Sequence, residues 1–409
     1  MLTLLQVNAS LNSGSTGKIA EDIGLTAIHQ GWNCYIAHGA RYKNQSQLQS
    51  MQVGNLFDER IHAGWYSMLF DRHGLGSQGP TKRLIQYIDS TIKPDIIHLH
   101  NIHGYYLNYK ILFEYLQHTN TKIVWTLHDC WPFTGHCVHF SMIGCDQWKT
   151  ACHDCRQLHT YPRTLFLDNS NNNFNLKKNL FTSIADRLTI VPVSEWLADY
   201  VKQSFLKDCE IKMIHNGIDI HTFVKCGYDN LRSRLNLEDK TVILGVAAQW
   251  SPRKGLHDFI RLRELMPRSK YTIVLIGLSD AQIAELPDGI IGIKRTESVH
   301  ELAQWYSASD VFVNPTYQDN YPTVNLEAMA CGTPVITYRT GGSPEAITPE
   351  TGFVVTQGNI QDIIVAIKQI ESRGKGAYGR ICRDRAEKYF DKTICFQKYL
   401  DVYNRLLNN

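Results

Sequence analysis

Short apolar runs alternate with amphipathic stretches along the whole chain, the pattern of parallel strands joined by crossover helices. Residues 2–7 read as a first buried strand, 17–30 as a helix and 34–37 as the next strand. Further strands are predicted at 96–99, 123–127 and 188–191, with Pro94-Asp95 marking the entry to the first of these. A second series opens at 241–246 and continues at 271–277, 311–313 and 334–337. Each series suffices for one doubly wound sheet, so the expected class is α/β, with two Rossmann-like domains joined near residues 215–225. The asparagine-rich stretch 168–175 reads as a polar surface loop, and 372–379 as a flexible connection before a final helical region.

Open parallel sheets bind ligands beyond the carboxyl ends of their strands. The residues just after each strand are therefore the candidates. After the first strand, Asn12-Ser13-Gly14-Ser15-Thr16-Gly17-Lys18-Ile19 is not a P-loop, because Asn12 stands where a glycine is needed and Ile19 where Ser or Thr is needed. As a small-residue loop opening a helix, Gly14 and Ser15 can still offer backbone N–H groups to an anion, the alternative being a plain tight turn. His100 and His103 follow the strand at 96–99, and His128-Asp129 follows that at 123–127. Imidazoles there suit contact with a sugar hydroxyl or phosphate, or proton transfer.

In the second series, Arg253-Lys254 follows the strand at 241–246, a pairing of fork and point charge suited to a diphosphate. The run from Pro315 to Gly332 places Pro322 at a helix start and Gly332 at its stop. That start turns free N–H groups and a partial positive charge toward any phosphate nearby. Asp319 before it and Glu327 within it can accept hydrogen bonds from vicinal hydroxyls.

Composition changes this picture little. The chain has 409 residues, 43% hydrophobic and 20% charged, with a net charge of +3. Those values fit a globular protein and exclude a nucleic-acid-coating surface. No apolar run approaches the ~20 residues of a membrane span, and the N-terminus lacks the basic n-region of a signal peptide. A cytoplasmic enzyme is expected. Of eleven cysteines, Cys137, Cys145, Cys152 and Cys155 cluster with spacing C-x7-C-x6-C-x2-C. The tight final pair suggests a closed structural zinc site, with free thiols or disulfides as alternatives.

Several of these segments together are similar to glycosyltransferase family 4: Pro315 to Gly332, Gly341-Gly342-Ser343-Pro344-Glu345, Arg253-Lys254-Gly255, His215-Asn216-Gly217-Ile218-Asp219, Val193-Ser194-Glu195-Trp196 and His128-Asp129. They occur in the family's order, and the resemblance is nearest to bacterial exopolysaccharide and capsule enzymes. It implies the GT-B fold, with two domains facing across a cleft and retention of anomeric configuration. The expected limits are an acceptor domain at 1–220 carrying the Cys-rich insertion 130–160, a nucleotide-sugar domain at 221–390, and a helix at 391–409 crossing back to the first domain. Two departures stand out: Asp319 replaces the first of the family's paired glutamates, and Gln249 replaces its usual arginine, leaving Arg253 to supply that charge.

The resemblance then implies donor contacts from Gly14, Ser15, Asn216, Arg253, Lys254, Asp319, Asn320, Tyr321, Pro322, Thr323, Val324 and Glu327. His128 would act with Arg253, Lys254, Asp319 and Glu327 in catalysis, while His100, His103 and Asp129 lie on the acceptor side. A nucleotide-sugar donor and a lipid-linked acceptor are expected, with no nucleic acid. The absence of an Asp-x-Asp motif predicts no catalytic metal. A nucleotide-sugar epimerase and a non-catalytic nucleotide-sugar-binding protein are the competing readings. Arg60, His62, Trp65, Tyr66, Leu69, Phe70, Arg72, Lys82, Arg83, Leu84 and Ile85 mix basic and apolar character, which fits either a peripheral membrane contact or amphipathic helices covering a sheet.

Overall fold

A computed structural model of the chain describes residues 1–227 and 229–408. It comprises two units, Met1–His215 together with the chain from Phe396 onward, and Asn216–Cys395. In the first, the strands are β1 (Thr3–Leu11), β2 (Asn33–Lys43), β3 (Gln49–Gln52), β4 (Ile96–Leu99), β5 (Lys122–Leu127), β6 (Leu188–Pro192) and β7 (Glu210–Ile211). They form one parallel sheet in the order β3-β2-β1-β4-β5-β6-β7. Helices cover both faces, which is why β4 and β5 are almost wholly buried and read as continuous apolar runs. The edge strands β3 and β7 escaped the sequence reading because they are short and largely exposed, so no apolar pattern marks them.

The second unit repeats the plan with β8 (Thr241–Val246), β9 (Tyr271–Ile276), β10 (Ile290–Ile293), β11 (Val311–Asn314), β12 (Val335–Tyr338) and β13 (Gly352–Val355). Their order is β10-β9-β8-β11-β12-β13, again all parallel. Strand order reverses between β1 and β4 in one unit, and between β8 and β11 in the other. Those are the two places where the loops beyond the strands part and leave a crevice.

Two expectations fail locally. The asparagine-rich stretch is not a loop, because the helix Ser170–Thr182 begins inside it. Buried Asn173 donates to the Asp71 carbonyl at 2.6 Å, and the Asn169 N–H donates to the Asp71 carboxylate at 2.9 Å, so these polar groups anchor the helix start. Residues 372–379 are not a loose connection either. The helices Ile360–Arg373 and Gly376–Tyr389 meet at a tight corner, where the Lys375 ammonium donates to the carbonyls of Ser307 (2.6 Å) and Ser309 (2.5 Å). The final helix, Lys392–Asn408, enters the first unit from Phe396 onward, where the Tyr403 hydroxyl meets His98 Nδ1 at 2.6 Å.

Candidate functional site

The second unit's switch point is built by two loops laced together. Beyond β8, a single turn Pro252–Lys254 carries the two cations and ends at Gly255. Gly255 has φ +78°, and a Cβ there would stand 2.2 Å from the Pro315 carbonyl oxygen, so only glycine lets the loop beyond β11 approach. Across this contact the Tyr317 N–H donates to the Arg253 carbonyl at 2.8 Å, and Arg253 Nη1 donates to the Gln318 carbonyl at 2.7 Å. Lys254 Nζ forms an ion pair with Asp319 Oδ2, both side chains about one-fifth exposed.

Gly341 locks the same loop from the other side. Its φ is +53°, and a Cβ would lie 1.7 Å from the Asp319 carbonyl oxygen. The Asn320 N–H donates to Asp319 Oδ1 at 3.0 Å. Asp319 thus touches a cation with one carboxylate oxygen and a backbone donor with the other.

The helix Thr323–Ala330 follows, with Pro322 in the capping position, one residue earlier than the sequence placed it. Gly332 (φ +75°) ends it as expected. Asn320 and Tyr321 are buried at 4% exposure, whereas Thr323 and Val324 are half-buried on the first turn. Glu327 is fixed by the Tyr306 hydroxyl, which donates to Oε2 at 3.0 Å. Tyr306 belongs to the apolar face of its own helix, and nothing in its sequence context signalled this role. Asn216 is buried at the start of the unit beside Gly217, where a Cβ would stand 2.6 Å from the Lys392 α-carbon.

In the first unit, the residues beyond β4 and β5 interlock as a polar chain. Gln6 Oε1 meets His100 Nε2 at 2.9 Å, and His100 Nδ1 meets His128 Nε2 at 3.2 Å, the two imidazoles stacked. His100 is 1% exposed with both ring nitrogens engaged, so it holds His128 in place instead of facing a ligand as the sequence suggested. Burial brings the His128 imidazole down to about 4 against the opposing pull of Asp129. His103 Nε2 pairs with Asp129 Oδ2 at 2.8 Å, and its Nδ1 meets the Tyr161 hydroxyl at 3.2 Å. Burial pushes the Asp129 carboxyl up, but His103 and the Trp131 N–H outweigh it and keep the group below the usual carboxylate range. Gly14 and Ser15 stand exposed at the first turn of the helix Gly14–His29, beyond β1, where Ser13 supplies no side-chain cap.

The cysteine cluster lies in the chain that follows Asp129. The Cys137 thiol donates to Cys155, and the Gly135 N–H donates to Cys152 Sγ at 3.2 Å. Among the described residues, no three His, Cys, Asp or Glu side chains converge as a metal site requires, so the expected zinc set of Cys137, Cys145, Cys152 and Cys155 draws no support from the side-chain geometry. The pin that the structure does show is Lys177, which the sequence reading missed. Fully buried, it donates to the carbonyls of Trp131 (2.8 Å) and Thr134 (3.0 Å) and lies 3.4 Å from the Trp131 ring centre. Burial brings its ammonium down to about 7.

These sites sit in a chain with clear relatives. The family model described as "Glycosyl transferases group 1" matches residues 228–388, and that described as "Glycosyltransferase Family 4" matches residues 50–222. The putative colanic acid biosynthesis glycosyl transferase WcaC of Escherichia coli (strain K12) is 24% identical over 415 residues, covering 99% of this chain and all of that protein. Among solved structures, the sucrose-phosphate synthase of Thermosynechococcus elongatus aligns with a TM-score of 0.73 at 17% identity, covering 100% of both chains. Anabaena Alr3699/HepE in complex with UDP-glucose aligns with a TM-score of 0.67 at 17% identity, covering 99% of this chain and 100% of that one. With two doubly wound parallel sheets and both family segments in order, the chain belongs to the family 4 glycosyltransferases of GT-B fold.

Proposed function

We propose that the protein transfers a sugar from a nucleotide-diphosphate donor to a hydroxyl of a growing, lipid-linked polysaccharide, with retention and without a catalytic metal. The observation that carries this reading is the laced pair of loops at the second unit's switch point, which holds Arg253 and Lys254 beside Asp319 and the first turn of the helix Thr323–Ala330. Two cations and a helix N-terminus form a natural seat for a diphosphate. Asp319 and Glu327 supply acceptors for the hydroxyls of the sugar and the ribose. The full-length similarity to a colanic acid enzyme and the UDP-glucose bound by a structural relative support the same donor and acceptor classes.

In this scheme, the bond between the anomeric carbon and the β-phosphate oxygen breaks as charge develops on the diphosphate. Arg253, Lys254 and the helix N–H groups stabilise that charge, an electrostatic contribution of the oxyanion-hole kind. The acceptor oxygen bonds to the anomeric carbon on the face the diphosphate leaves, and its proton passes to a phosphate oxygen. His128, neutral near pH 7, contacts the transferred sugar, while His100 orients it. His103 and Asp129 face the acceptor, and Gly14 and Ser15 offer N–H groups to the donor.

A thermal-shift series with UDP-, GDP-, ADP- and TDP-sugars, each with and without EDTA, tests the proposal. At a hundred times Kd, one nucleotide class is expected to add about 2.7 kcal/mol of stability, a rise of several degrees that EDTA leaves unchanged. No shift from any donor would overturn the donor site, and a shift abolished by EDTA would overturn metal independence.

A further inference from the structure

One surface of the first unit is apolar beyond what its core requires. Residues 56–69 wind as an α-helix, Leu56–Ile61, that runs on into a π-helix, His62–Leu69. The inner side carries Glu59, His62 and Ser67, all buried. Phe57, Ile61 and Trp65, four residues apart and so on one face, are 68%, 44% and 58% exposed. Leu56 and Met68 are exposed beside them. A second apolar stretch, Leu165-Phe166-Leu167, is fastened to the end of this helix. The Leu165 N–H donates to the Met68 carbonyl at 2.8 Å, and the Thr164 hydroxyl donates to the same oxygen at 3.1 Å. Phe166 is 75% exposed. Two segments nearly a hundred residues apart in sequence are thus joined into one ridge of large apolar side chains.

The charges around the ridge are sorted by sign. Its acidic groups turn to the protein: Asp58 accepts from the Asn55 N–H, Glu59 from the Ala40 N–H, Asp71 pairs with His136, and Asp168 accepts from the N–H groups of Cys155 and Ser170. The cations Arg60, Arg72, Lys82, Arg83 and Arg163 are exposed, and among the described residues none has a carboxylate within ion-pair distance. Arg72 and Lys82 also border, with Tyr66, a groove of about 690 Å³ beside the ridge, where the one lining carboxylate, Glu114, is paired with Lys110. His62 and Leu84, grouped with these residues on sequence alone, are fully buried and take no part.

We propose that this face docks on the surface of an anionic lipid bilayer. The ridge Phe57, Ile61, Trp65 and Phe166 enters the boundary between headgroups and acyl chains, and the surrounding arginines and Lys82 meet lipid phosphates. No helix among the described residues is long and apolar enough to cross a membrane, so the contact is a peripheral one. A second copy of the chain fits the face poorly, because a two-fold contact would set the same cations against one another.

Cosedimentation of the full chain with phosphatidylglycerol vesicles, and separately with phosphatidylcholine vesicles, tests this. The wild type is expected to pellet with the anionic vesicles, to do so less as salt rises, and to show a blue shift in tryptophan emission. Phe57→Ser/Trp65→Ser/Phe166→Ser should abolish the binding. Arg60→Gln/Arg72→Gln/Arg163→Gln should weaken it about 100-fold, at roughly fivefold per cation removed. Both variants should keep the wild-type melting temperature and the wild-type response to donor. Wild-type protein remaining in the supernatant would overturn the proposal. So would a concentration-dependent dimer, seen by light scattering without vesicles and lost in the triple serine variant.

Discussion

Lys254 and Asp319 meet as a partly exposed pair, and such pairs contribute little to folding, with a median of ~0–1 kcal/mol. Lys254→Ala should therefore melt within a few degrees of wild type, while losing about 10²–10³ in turnover if its charge stabilises the departing diphosphate. Sugar-transfer assays beside thermal melts check this, and unchanged turnover would remove Lys254 from the phosphate site. Gly341 predicts the opposite kind of loss. A side chain there meets the Asp319 carbonyl at 1.7 Å in a backbone conformation that disfavours it. Gly341→Ala should displace the Asp319 loop and weaken donor affinity at least ~10-fold, more than it lowers the melting temperature of the unit. Calorimetric titration with the nucleotide sugar is the measurement.

The core strands were legible because parallel strands buried on both faces write themselves as apolar runs; residues 96–99 and 241–246 came out to the residue. The polar edges did not, since β3 and β7 bury almost nothing, and the asparagines of 169–175 look the same in a loop as in a helix start. Spacing located Arg253, Lys254, Asp319 and Glu327 at strand ends, but partnership lies outside its reach. That Tyr306 fixes Glu327, or that His100 spends both nitrogens on Gln6 and His128, depends on residues distant in sequence. The insertion after β5 carries the same lesson, and a prediction. Its cysteines suggested a metal pin, whereas Lys177 ties Trp131 and Thr134 together in the structure. Lys177→Ala leaves the buried Thr134 carbonyl without its donor and the Trp131 carbonyl with only the long bonds from Thr134, and should cost about 2 kcal/mol, or roughly 4–8 °C. A chelator should leave the wild-type melt unchanged. A melt lowered by chelator but not by Lys177→Ala would return the role to zinc.

At the scale of the whole molecule, the two units differ in what they do with histidine. The second unit's His221, His257 and His300 are all exposed. The first buries a group of imidazoles as neutral hydrogen-bonding struts. His62 accepts N–H bonds from Gly74 and Gly76 on one nitrogen, and burial brings it down to about 4. His128 falls to about 4 for the same reason, and His73, His98 and His100 are lowered well below the usual range by burial and by neighbouring histidines. In the unfolded chain these rings titrate near 6.5. Because the folded values are depressed, their contribution is fully present above about pH 6.5 and is lost as pH falls toward 4, where the unfolded chain takes up protons that the folded unit refuses. At 1.36 kcal/mol per pKa unit, His62 alone accounts for about 3 kcal/mol of that loss. The first unit should therefore unfold ahead of the second as pH falls from 7 to 4.5, splitting one calorimetric transition into two. Six of the eight tryptophans (Trp32, Trp65, Trp125, Trp131, Trp148 and Trp196) lie in the first unit, so tryptophan fluorescence should follow the earlier transition. His62→Gln, which keeps an acceptor but cannot gain a proton at these pH values, should move that transition to lower pH. A single transition at every pH, or an early one that ignores this substitution, would show that the buried imidazoles do not set the acid stability of the unit.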